Sequence, residues 1–222
     1  MRALVTGAGG GIGPAVVAAL ERDGWDVAGT DAGHADLADP AAPARLFEEL
    51  GPFTALVTCH ACSEPGGLLE TDAAQLDRHL AVNVRATALL MAELARRFEG
   101  PAGTGRIVNF TSKGPLAGEV AYAASKGGVD WLTEAAAVEL APLGVTVNAI
   151  DPGPTDTGWM TPGLKDAVAH ASLLGRTGRP EDAAELVAFL CSPAAGWITG
   201  QVIHADGGSG LHRLARRGGE LV

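Results

Sequence analysis

The chain has 222 residues and a formal net charge of -10, with 47% hydrophobic and 19% charged residues, 31 glycines and three cysteines. That size buries a core unaided by disulfides or metal, and the acidic balance repels phosphate backbones and anionic lipid, which argues against nucleic-acid and membrane partners. No segment has the roughly 18 apolar residues of a membrane span and the N-terminus enters a strand without a signal peptide's apolar region, so a cytoplasmic protein is expected, in which three cysteines suggest no disulfide framework.

Taken in chain order, short β-rich runs alternate with Ala/Leu-rich helical stretches. "RALVTG" precedes a helix over 14–22, "DVAGTD" one over 40–50, "TALVTC" one over 72–98, "RIVNFTS" one over 121–141, "VTVNAID" one over 180–191, and "QVIHADG" closes the series. This rhythm predicts one α/β domain over 1–210, a parallel sheet of six to seven strands with helices on both faces. Residues 211–222 read as a tail, and its basic run "HRLARR" as a solvated end. One interval is short: between Asp31 and "DLADP" stands only "AGHA", whereas a crossover between parallel strands needs a dozen or more residues. A third strand and its helix are therefore expected to be absent or vestigial, leaving six strands with "DVAGTD" exposed or covered by a neighbour.

"TGAGGGIG", Thr6 to Gly13, follows the first strand and opens a helix, with Pro14 tolerated in its first turn. Gly7, Gly9, Gly11 and Gly13 let the backbone approach a pyrophosphate, and Ile12 and Gly13 begin a helix whose unpaired N–H groups and positive dipole end suit an anion. The context is that of a doubly wound Rossmann fold. Asp31, about twenty residues on, accepts hydrogen bonds from a ribose 2′-OH and repels a 2′-phosphate, so NAD is expected and NADP disfavoured.

Tyr122, the one tyrosine, stands four residues before Lys126, on the same face at the start of a helix. A nearby ammonium favours phenolate and lowers a phenol's pKa toward the working range of a proton carrier. Alone, this spacing also describes an ordinary surface pair. Ser112 ends the strand "RIVNFTS", and Asn83 lies in "HLAVNVRATALL".

With "TGAGGGIG", the "NV" at 83–84, "IVNFTS", "YAASK", "VNAIDPG" and "TGQVIHADGG" in this order, the chain resembles the short-chain dehydrogenase/reductase family from Val5 to about Gly208, in particular its 3-oxoacyl-reductase-like members. The resemblance implies that Tyr122 is the acid/base, that Lys126 lowers its pKa and holds the nicotinamide ribose, that Ser112 polarises the carbonyl oxygen, and that Asn83 holds a water relaying protons to Lys126. It puts Pro152 and Gly153 beside the nicotinamide, Thr155 and Thr157 near its carboxamide, and Asp36 and Leu37 at the adenine. The implied function is NAD-dependent hydride transfer between the nicotinamide and a secondary alcohol or ketone, with a weakly polar or 3-oxoacyl-type small molecule under a flap over 156–178. A homotetramer or homodimer built on the long helices is implied as well.

The chain also departs from the family. "TCHA", Thr58 to Ala61, replaces the usual Asn-Asn-Ala-Gly, so Cys59, His60 and Ala61 line the ribose side with bulkier groups. Cys59 and Cys62 have redox-dithiol spacing, but without a second pair no metal site is expected. The segment from Ser112 to Tyr122 is about three residues shorter than usual, which leaves Thr111 as an alternative hydroxyl. These departures make a catalytically silent NAD(H)-sensing protein of the same fold the rival reading.

Overall fold

The computed structural model describes residues 1–112 and 117–214. The strands are β1 Arg2–Thr6, β2 Asp26–Thr30, β3 Ala55–Thr58, β4 Gly105–Phe110, β5 Val145–Asp151 and β6 Val202–His204. All pairings are parallel, in the order β2-β1-β3-β4-β5-β6. Such strands are buried on both faces, which is why β3, β4 and β5 carry no exposed residue.

Alternation along the strands divides the core into two layers. Ala3, Val5, Val57, Val108 and Ile150 pack with α1 (Gly13–Arg22) and the later helix Pro180–Cys191, through Val16, Leu20, Ala184 and Val187. On the other face Leu4, Leu56, Ile107 and Val147 meet α2 (Ala42–Leu50) and α4 (Thr87–Arg97), through Leu46, Phe47, Leu90 and Leu94. Leu90 and Leu94 have no exposed surface, so truncating either to alanine costs about 2–5 kcal/mol.

The helical stretch expected over 72–98 is three consecutive pieces: α3 Ala73–His79, a π-helical segment Leu80–Ala86, and α4. Asp72 caps α3 by accepting from the Gln75 amide at 2.8 Å. Then come α5 Val120–Leu140, α6 Pro162–Ala171 and α7 Pro180–Cys191. Among the described residues no helix is long and apolar enough to cross a membrane.

The short "AGHA" link has the expected result. After β2 the chain turns at once, with the His34 and Ala35 amides donating to the Asp31 carbonyl at 3.1 and 2.9 Å, and no strand forms between β2 and α2. β2 is left as an edge, with Asp26 and Gly29 exposed. The sequence expectation of a tail from 211 is altered in part, because a 3-10 turn runs over Ser209–Leu214. The rest of the basic run lies outside the described residues.

Candidate active site

The carboxyl ends of β1, β3, β4 and β5 converge on one crevice, the place where open α/β sheets bind ligands. At β1 the glycine turn has the form of a phosphate cradle. Gly7 and Gly11 have φ of 71° and 60°, a left-handed conformation that glycine adopts without strain. A Cβ on Gly7 would lie 2.6 Å from the His60 amide nitrogen, and one on Gly13 would collide with the Gly7 carbonyl and stand 2.8 Å from Ala8 Cα. Gly10 and Gly11 face open space. Ile12 is half-buried and packs against the α1 layer of the core.

Asp31 closes this end. Its Oδ1 accepts from the Gly33 and His34 amides at 2.9 and 3.3 Å, while a Cβ on Gly9 would press on Oδ2 and lie 3.2 Å from Cγ. A fixed, exposed carboxylate thus borders the glycine turn, and these residues fit a dinucleotide's pyrophosphate and ribose. Of the adenine pair, Asp36 is exposed and accepts from the Ala38 amide at 2.9 Å. Leu37, however, is buried among Leu4, Leu46 and Phe47, so of the two side chains it is Asp36 that has surface to offer a ligand.

At the other end, α5 begins beside the mouth of β4 and carries Tyr122 and Lys126. Ser112 lies near enough to Tyr122 to draw its phenol pKa down, and the Thr111 hydroxyl donates to the Lys126 carbonyl at 3.2 Å. The register therefore presents Ser112, not Thr111, to the tyrosine. Lys126 is buried, its Nζ 5.7 Å from the centre of the Tyr122 ring and donating to the Phe110 carbonyl at 2.8 Å. Burial pushes Lys126 down to about 8.

The expected lowering of Tyr122 is corrected. Burial, with the charges of Glu119 and Asp151 adding, pushes the phenol up to about 12, against the pull of Ser112. The physical reason is that burial disfavours the phenolate, the negative charges of Glu119 and Asp151 add to this, and the Lys126 ammonium donates to a backbone carbonyl. Tyr122 is therefore a protonated phenol at neutral pH, a proton donor as it stands.

The Asn83 side chain is held by protein groups. Its side-chain amide donates to the Cys62 carbonyl at 2.9 Å and to Ser125 Oγ at 2.8 Å, and accepts from the Cys62 amide at 2.7 Å. Both of its N–H donors are spent on protein, so the side chain braces the loop after β3 against α5. Thr155 donates to the Pro152 and Gly153 carbonyls at 3.1 and 3.3 Å and is buried, which commits its proton to the turn that Pro152 and Gly153 form. Thr157 is exposed. Gly153, at φ 58°, is pressed against Asp206, and a Cβ placed on it would lie 2.5 Å from the Asp206 Cβ.

The turn after β3 divides the remaining candidates. Cys59 is half-buried, with burial raising its thiol pKa, and Ala61 is exposed. The His60 backbone borders Gly7, as expected for the ribose side, but its ring does not face the crevice: it bonds Thr6 and the Val82 carbonyl. Among the described residues no cluster of three or more His, Cys, Asp or Glu could hold a metal ion.

Sequence reasoning missed Glu119, Asp151 and the π segment. Asp151 is buried, accepting from the Gly153 amide at 3.0 Å and lying 2.9 Å from His204 Nδ1. It stood inside the quoted motif "VNAIDPG" as the residue before Pro-Gly, and strand alternation would have set it on the α5 side. Nothing in residue periodicity marks seven residues of π-helix.

Residues 34–210 match the family described as "Enoyl-(Acyl carrier protein) reductase". Over 168 residues the chain is 46% identical to "Uncharacterized oxidoreductase YjdA" of Bacillus subtilis, covering 74% of this chain and 67% of the relative. It is 34% identical to mouse "(3R)-3-hydroxyacyl-CoA dehydrogenase", with 93% and 95% covered. A short-chain dehydrogenase from Burkholderia cenocepacia, solved in complex with NADP, superposes with a TM-score of 0.84 at 32% identity, covering 94% of this chain and 97% of its own.

Proposed function

The chain belongs to the short-chain dehydrogenase/reductase family of oxidoreductases, and we propose that it is an NAD(H)-dependent enzyme reducing a ketone, of 3-oxoacyl type, to a secondary alcohol. The observation that carries this reading is buried Lys126 with its Nζ 5.7 Å from the centre of the Tyr122 ring and Ser112 close by, at the end of the crevice opposite the glycine turn and Asp31. A bound nicotinamide supplies the hydride to the carbonyl carbon. The chain does the rest: Tyr122 gives its phenolic proton to the carbonyl oxygen, which turns C=O into CH–OH, and Ser112 donates a hydrogen bond that holds that oxygen. Lys126, poised near neutrality, is the group placed to return a proton to the phenolate. A pair of hydroxyls suits a carbonyl oxygen better than a carbon–carbon double bond.

Asp31 supports NAD(H), since its carboxylate would meet a 2′-phosphate at the glycine turn, where the sequence has no Arg or Lys. The Burkholderia protein's NADP makes this a point to measure. The mouse relative's name supports an acyl substrate, and the flap around α6 offers apolar surface in Trp159, Leu164 and Leu173. Trp159 is held to the turn after β5 by its indole N–H, which donates to the Thr155 carbonyl at 3.2 Å. A homodimer or homotetramer belongs to the same reading. Val129, Thr133 and Ala137 of α5 are buried in this protein's own core, but Trp131 and Val138, seven apart, stay 75% and 76% exposed on another face.

The test is binding of NADH and NADPH by fluorescence, with NADH oxidation followed on a panel of 3-oxoacyl thioesters and simple ketones. NADH should bind tighter and the thioesters should turn over. Tighter NADPH binding would overturn the role of Asp31, and turnover of neither substrate class would overturn the enzyme reading.

A further inference from the structure

The residue that departs furthest from the family pattern has both ring nitrogens engaged by protein groups. His60 Nδ1 lies 2.6 Å from Thr6 Oγ1, and Nε2 lies 3.1 Å from the Val82 carbonyl oxygen. A carbonyl only accepts, so Nε2 carries the proton and Nδ1 accepts from the Thr6 hydroxyl, which defines one neutral tautomer. Burial, with Lys126 adding, pushes the ring down to about 3, so it stays neutral at working pH. Thr87 Oγ1, 3.4 Å from Nε2, has its own acceptor in the Asn83 carbonyl at 2.8 Å.

The positions of the two partners matter more than the bonds themselves. Thr6 is the last residue of β1 and precedes Gly7, the first glycine of the cradle. Val82 precedes Asn83 in the π segment. The loop after β3 has other ties to this helical stretch: Asn83 to the Cys62 backbone, the Glu64 amide to His79 Nε2 at 3.1 Å, and the Arg78–Glu64 ion pair at 2.6 Å. Each of these joins loop to helix only. The Cys59 amide ties the loop to β1 by donating to the Thr6 carbonyl at 2.9 Å, and among the bonds described the His60 ring is the one side chain of the loop that touches both β1 and the helical stretch. A ring serving only to fill space would be better apolar, because an imidazole must lose water from two polar atoms to be buried.

We infer that His60 is a positioning residue: the Thr6–His60–Val82 bridge locks the π segment bearing Asn83 to the start of the glycine turn, so that the nucleotide cradle and the Tyr122–Lys126 end move as one body. The consequence for binding rests on the NAD(H) reading above, whereas the bridge itself does not. It also reverses the sense of the "TCHA" departure, which strengthens the frame under the ribose where the sequence suggested a looser fit.

The experiment compares the full-length native protein with His60→Ala, His60→Gln and Thr6→Val. Amide hydrogen exchange is read over residues 6–13 and 79–87, and NADH affinity by fluorescence. His60→Ala and Thr6→Val are expected to speed exchange in both segments and to weaken NADH binding about tenfold. His60→Gln, which keeps a donor for the Val82 carbonyl, is expected to recover most of both. Lower thermal stability with NADH affinity within about twofold of native, and exchange changed in only one segment, would make His60 a packing residue and overturn the inference. Should His60→Ala fail to fold, Thr6→Val decides alone, since it removes one hydrogen bond and keeps the side chain's shape. If the native protein binds neither NADH nor NADPH, the function proposed above fails, and coupled exchange of the two segments still tests the bridge.

Discussion

The two ends of the crevice are made in opposite ways. The nucleotide end is built largely from missing side chains: glycines at φ values that other residues avoid, an edge strand and one exposed carboxylate. The chemistry end is built from buried polar groups, each held by a named partner: Lys126 on the Phe110 carbonyl, Asn83 on Cys62 and Ser125, Thr111 on the Lys126 backbone. What the first end offers an anion is backbone, which has a fixed dipole and no titration. At the second, the proposed reaction asks groups to change protonation, and their pKa values are set by burial and neighbouring charge. Substitutions at the two ends should therefore fail differently.

The largest effect is expected at the chemistry end. On the proposed function Tyr122→Phe removes the proton destined for the carbonyl oxygen and leaves the ring, so the rate should fall about 10²–10⁴-fold, with NADH affinity within about twofold. A rate above a tenth of native would break the contrast by showing that the phenol's proton is dispensable. At the nucleotide end the matching loss is of structure. Gly13→Ala puts a methyl against the backbone of Gly7 and Ala8, neither of which has a rotamer to change, and about 3 kcal/mol of stability should be lost. Gly10→Ala meets nothing within 4 Å and should cost under about 0.5 kcal/mol. Thermal melts of the two variants sharpen the comparison, and equal losses would mean that the turn is not the tight cradle described.

The same division decides what could be read from the sequence. Strand rhythm, the glycine turn, the short link after Asp31 and the Tyr122–Lys126 spacing are local patterns, and the six-stranded sheet with β2 at its edge follows from them. Charges that arrive from elsewhere in the chain were not legible. Burial raises the Tyr122 phenol, and the charges of Glu119 at α5's cap and Asp151 at the end of β5 add to it, where the i, i+4 lysine alone argued for lowering. The direction of the His60 ring was equally hidden, because its partners Thr6 and Val82 are 54 and 22 residues away. The burial of the Leu37 side chain was hidden for a related reason: without the third strand, core that such a strand would cover is filled by the link itself.

A modest effect, smaller than those of Tyr122→Phe and Gly13→Ala, is expected in the alkaline stability profile, and it belongs to the chemistry end alone. Lys126 is lowered from 10.5 to about 8 in the folded protein, so between these values the unfolded chain binds a proton that the folded one has released. Stability should rise with pH over that window, by about 1 kcal/mol once relaxation around the buried amine is allowed for. Tyr122 is raised from 10.0 to about 12, so above pH 10 the folded protein holds a proton that the unfolded chain has lost, and this contribution to stability falls as pH rises through 12. The two slopes oppose each other and predict a local maximum near pH 10. Denaturant unfolding measured from pH 7 to 11 should show that rise in the native protein and lose it in Lys126→Met, which keeps the stem and removes the amine. A native profile that only declines above pH 8 would mean that Lys126 keeps its charge at no cost, and that the burial separating the two ends of the crevice is not felt by the group that most depends on it.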